Sequence, residues 1–193
     1  DVYAEPLQDH YFDGWRQWAR GSIAIRKSQL QNATAEQTHL RQQASAHLAA
    51  AATNLELAHL KALNSYQLKK IETLQLYNFR DQYQLAKEVR SPEELAVLSD
   101  RLMEFAATAS NAPKHDKDFF DTVFEAGLGE YIRSKNTQAA IHLVGARVRA
   151  CRAQGYSLKE IDFQVELAAK KVEALLADKN AAAEVRLFKS AHQ

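Results

Sequence analysis

Apolar residues recur at steps of three and four along most of the chain, the period of a helix with one buried face. Leu95, Leu98, Leu102, Phe105 and Ala109 form one such stripe. Phe120, Val123, Phe124, Leu128 and Ile132 form a second, and Ile141, Val144, Val148 and Cys151 a third. Leu158, Ile161, Val165, Ala168, Val172 and Leu175 give a heptad-like fourth. No segment alternates apolar and polar residues between turn signals, so no sheet is expected. The pattern predicts an all-α protein. Its expected form is a helical bundle with a long Ala-rich, coiled-coil-like helix or helical hairpin, followed by about four shorter C-terminal helices.

Breakers set the boundaries. Residues 22 to 91 contain neither Gly nor Pro, a run of 70 positions rich in Ala, Leu, Gln, Lys and Glu. Unbroken, that run would be a rod about 100 Å long. Two polar caps mark internal breaks, Thr34 with Gln37 and Asn64 with Gln67. A hairpin or kink near residue 64 is the alternative to one rod. Ser91 before Pro92 and Glu94 opens a helix, and Asn111-Ala112-Pro113 ends it. Gly127 and Gly129 are placed to divide the next one. Gly155 closes the third with a left-handed cap. Ser157 and Glu160 then make a capping box, with Tyr156 stapled to Ile161. Three regions follow: an N-terminal aromatic segment or short helix (1–21), a long helical arm (22–90) and a C-terminal bundle (91–193), the last two being one continuous domain if the arm folds back.

The aromatics separate body from arm. Five of 17 lie in the first 18 positions and none between 19 and 65, whereas residues 33 to 62 hold ten alanines. Small residues let helix axes approach closely but bury little area each. This stretch reads as a slender helix–helix contact with Leu30, Leu40, Leu48 and Leu55 as its larger knobs. Leu7, Tyr11, Trp15 and Trp18 make a stripe near the N-terminus. Trp and Tyr suit interfaces because they bury large area with a polar tip. Tyr11, Trp15, Trp18, Leu40, Leu48 and Leu55 are therefore the candidate partner-binding residues.

Charge adds a second candidate. Residues 131 to 155 carry Arg133, Lys135, Arg147, Arg149 and Arg152 with no acid, while residues 116 to 130 hold five acids and one lysine. His142, Arg149 and Arg152 share a helix face with Gln138 and Gly145. That face could receive a carboxylate, a phosphate or an acidic partner. Pairing with the acidic segment, its antiparallel neighbour, is the internal alternative. The formal net charge is only +1, so no nucleic acid is expected as a partner.

Catalytic chemistry finds little purchase. One cysteine excludes an internal disulfide and a four-cysteine zinc site. Cys151 lies on its helix's apolar stripe and faces away from His142. Glu36-Gln37-Thr38-His39 and Glu56-Leu57-Ala58-His59 each read Glu-x-x-His, a di-iron bundle spacing. On one helix, however, they would stand about 30 Å apart. Asp116, Asp118, Asp121 and Glu125 lack the glycine of a calcium loop and suit a helix's first turn. Gly127-Leu128-Gly129 is no phosphate loop. No cofactor, metal or catalytic residue is assigned, and the protein is expected not to be an enzyme.

The expected function is protein–protein interaction or assembly through helix faces, by association with a partner or with itself. A helical-bundle enzyme dependent on metal or cofactor is one alternative. An amphipathic coat on a lipid or other apolar surface, using residues 7 to 20, is another. No run of apolar residues is long enough to span a membrane. Because the first residue is Asp1, the chain is expected to be a processed, exported product (periplasmic or extracellular), such as a surface-assembly component. An excised piece of a longer chain would start the same way.

Overall fold

The computed structural model describes residues 5–109 and 117–175. They form α-helices and, among the described residues, no strand. In chain order these are α1 (Glu5–Leu30), α2 (Thr34–Leu60), α3 (Ser65–Val89), α4 (Pro92–Thr108), α5 (Lys117–Arg133), α6 (Thr137–Ala153) and α7 (Leu158–Leu175). The chain divides into two compact units, one holding α1–α3 and the other α4–α7.

No single rod follows Gly21. The run without Gly or Pro is shared by three helices of 25 to 27 residues. The first of these begins well before Gly21 and passes through both Gly14 and Gly21. Breaks fall at residues 31–33 and 61–64, beside the two polar caps. Asn64 caps α3 by accepting a hydrogen bond from the Gln67 amide at 3.0 Å, and the Gln67 side chain accepts from the Leu63 amide. Thr34 does not cap α2. The cap position is Ala33, and Gln37 instead donates to the Ser28 carbonyl, tying the turn to the end of α1. The rod fails because small faces must be buried to be stable, and folding back buries them.

The first unit is an up-down-up triplet. Gly14 and Gly21 are seven residues apart on α1, as Leu48 and Leu55 are on α2. A Cβ built at Gly14 would lie 2.8 Å from Leu55, and one at Gly21 would lie 2.7 Å from Leu48. Each leucine thus fills the notch left by a missing side chain. Leu55 and Ala58 join Ile71 and Leu74 of α3, and Leu48 and Ala44 join Ala24, Ile25 and Leu85. Four of the ten alanines are therefore core spacers: Ala44, Ala51 and Ala58 are fully buried and Ala52 nearly so, whereas Ala33, Ala35, Ala46 and Ala49 are exposed. Polar links fix the register, with Asn78 of α3 donating to the Leu48 carbonyl at 3.1 Å.

In the second unit α6 is buried around most of its circumference. Its Val148 and Cys151 pack on Ile161 and Val165 of α7, with Tyr156 against them. Gly127 does not divide α5. It admits Ser99 of α4, whose hydroxyl donates to the Val123 carbonyl at 2.7 Å. Ser91 makes no side-chain cap, so α4 starts on Pro92 and its first-turn acids Glu93 and Glu94. The Ser157–Glu160 capping box is present, with the Ser157 amide donating to Glu160 at 3.0 Å. Leu158 stays exposed, turned out of the α7 stripe. The helix end expected at 111–113 and the acid Asp116 lie outside the described residues, as does the side chain of Leu175.

Candidate functional site

The N-terminal aromatics are sorted by α1 onto opposite faces. Trp18 and Tyr11 point inward. The Trp18 indole donates to Asp81 of α3 at 2.8 Å and stacks on Tyr77 with ring centroids 5.9 Å apart. Ser22 donates to the same carboxylate. Tyr11 packs on the cluster around Leu55 and Ile71. Leu48 and Leu55 are fully buried between α1, α2 and α3, and Leu40 is half-buried. Five of the six residues expected to touch a partner thus meet a neighbouring helix or lie partly covered, because the arm supplies its own partners by folding back. Nothing is described of the Leu7 side chain.

Trp15 is different. It is 50% exposed and lies on the side of α1 away from Gly14, Gly21 and Ser28. Phe12, Ile23 and Leu30 are exposed beside it, Leu30 to 81%. At about 100° per residue, Phe12, Trp15, Ile23 and Leu30 fall within about 80° of one another around the helix. The helix therefore has two apolar faces. One grips α2 and α3, and the other is an outward stripe some 18 residues long (12 to 30). Sequence reading missed Phe12, Ile23 and Leu30 as a set, because it ended the first element at Gly21. Carrying the helical period across that glycine would have found them.

The basic face of α6 meets acids, but not from the expected neighbour alone. Arg147 is fully buried and pairs with Asp121 of α5, its guanidinium also lying 5.8 Å from the Phe124 ring. This pairing and the contact of Gly127 with Leu143 make α5 and α6 antiparallel neighbours. Arg149 instead pairs with Glu104 of α4. His142 stands 3.8 Å from Asp100 and 3.9 Å from Glu104. Two of the three residues of the expected anion-receiving face, His142 and Arg149, thus lie beside the protein's own carboxylates, because the α4 stripe is rotated to bury Ala96, Ser99 and Met103 and turns Asp100 and Glu104 toward α6. Arg152 is exposed.

Asp100 also accepts a hydrogen bond from the Tyr131 hydroxyl. Burial pushes the Tyr131 phenol above its ordinary range, and the neighbouring carboxylate adds to the effect. Burial likewise raises the Cys151 thiol, which disfavours its thiolate. The two Glu-x-x-His motifs do not converge. His39 is exposed and contacts Gln43, whereas His59 faces the buried Glu72 at 3.5 Å. Among the described residues no group of three or more His, Cys, Asp or Glu is placed to hold a metal, and no helix is long and apolar enough to cross a membrane. No protein family, curated protein or solved structure matches the chain.

Proposed function

We propose that the protein is a non-enzymatic binding or assembly subunit that engages another protein through the outer face of α1. One observation carries this: a helix whose inner face is already satisfied keeps a second apolar stripe, Phe12, Trp15, Ile23 and Leu30, in water. Scattered exposed apolar residues are normal, but an aligned row that includes a tryptophan has the make-up of an interface anchor. Trp15 would supply the largest contact, with Ile23 eight residues on and Leu30 seven further extending it along the helix. Arg16, exposed along its border, would belong to a polar rim, and the exposed Arg26, which falls within the row between Ile23 and Leu30, would offer a charged contact inside it.

The test is capture of the tagged protein's complex from its native source, with the mass and composition of that complex determined. Trp15→Ala combined with Ile23→Asp is expected to abolish capture and leave the melting temperature of the isolated chain unchanged. Intact capture by this variant would contradict the proposal.

A further inference from the structure

A different surface of the first unit carries an inference independent of the α1 stripe. The turn joining α2 to α3 gathers a second group of exposed apolar side chains. Leu60 is 81% exposed, Leu63 is 77% and Tyr66 is 56%, with Leu57 exposed one turn before Leu60. These side chains sit on a helix end, a turn and a helix start, so they form a protruding tip and not a groove. Lys61, Lys69 and Lys70 surround them and are all exposed. Lys70 lies over the Tyr66 ring at 5.6 Å. From residue 57 to residue 71 the chain holds those three lysines and no acid. Of the flanking acids, Glu72 is fully buried and faces His59, while Glu56 is exposed just before Leu57.

A convex apolar point offers a protein partner little enclosed area. A bilayer interface, however, closes around such a point from all sides. Leucines can enter the acyl boundary, a tyrosine suits the headgroup level, and lysines can reach the phosphates. Either element alone gives only marginal binding, since stable membrane attachment takes two signals, such as an apolar insertion together with a basic patch. Here both occur within 15 residues. We infer that the α2–α3 tip docks the protein on an anionic lipid surface, with Leu60 and Leu63 inserted and Lys61, Lys69 and Lys70 on the headgroups.

Flotation of the full chain with phosphatidylcholine vesicles, with and without phosphatidylserine, tests this. Binding is expected only to the anionic vesicles and should weaken with added salt. Each of Lys61→Gln, Lys69→Gln and Lys70→Gln should lower binding about fivefold. Leu60→Ser with Leu63→Ser should lower it about tenfold or more. All these side chains are exposed, so melting curves should match the parent's and separate lost docking from lost folding. Absence of binding to anionic vesicles would overturn the inference. So would binding that the leucine pair does not affect. Equal retention on immobilised polyglutamate would also overturn it, marking the tip as a site for an acidic protein.

Discussion

At the residue scale, position on the helix decided roles that residue type left open. Trp15 and Trp18 are three residues apart and chemically alike, yet one is half in water and the other bonded to Asp81. Composition pointed to both as anchors, and only the direction of the inner face separates them. Tyr131 shows how burial and one polar contact together set a measurable property. Its phenol is held protonated by burial and by the Asp100 carboxylate, so its pKa in the folded chain lies above that in the unfolded chain. The contribution is therefore fully present below the ordinary tyrosine pKa of about 10 and is lost as pH rises through the folded value. Tyr131→Phe is expected to cost about 1 kcal/mol at neutral pH through the lost hydrogen bond. It should also make the alkaline decline in stability shallower. Urea titrations at neutral and alkaline pH would check both, and an unchanged alkaline limb would show that this phenol is not the titrating group.

At the element scale, helices were legible because the periodicity is strong and breakers are few. The Asn64 cap and the Ser157–Glu160 box could be read directly, since both are made by neighbours in sequence. Glycines could not be read this way. Gly14, Gly21 and Gly127 look like interruptions, but each lies inside a helix where another element presses close. Sequence does not say which neighbour will press, and so a notch resembles a break. Two glycines of α5 allow a direct check. A Cβ at Gly127 would collide with Ser99, while one at Gly129 meets nothing within 4 Å. Gly127→Ala is expected to destabilise the protein by about 2 kcal/mol through overpacking. Gly129→Ala should instead stabilise it by about 1 kcal/mol through helix propensity. Thermal or denaturant melts of the two variants read out the contrast. The rotation of the α4 stripe was hidden for the same reason: whether Phe105 or Met103 turns inward depends on which helices flank it, and that is a non-local fact.

At the scale of the whole molecule, the seventy positions without Gly or Pro were the most prominent feature of the sequence, and they were open to two readings. An alanine-rich helix can extend to meet a partner or double back to meet itself. Leu48 and Leu55 became core because Gly14 and Gly21 supply matching notches seven residues apart, a complementarity visible only once α1 and α2 are paired. With those contacts used internally, the partner surface we propose narrows to the outward row of α1. The most direct test is hydroxyl-radical footprinting, read residue by residue by mass spectrometry, of the isolated chain and of the same chain in its native complex. The account predicts that Phe12, Trp15 and Ile23 are oxidised in isolation and protected in the complex, while Trp18 is slow in both. Equal oxidation of Trp15 in the two states would contradict it.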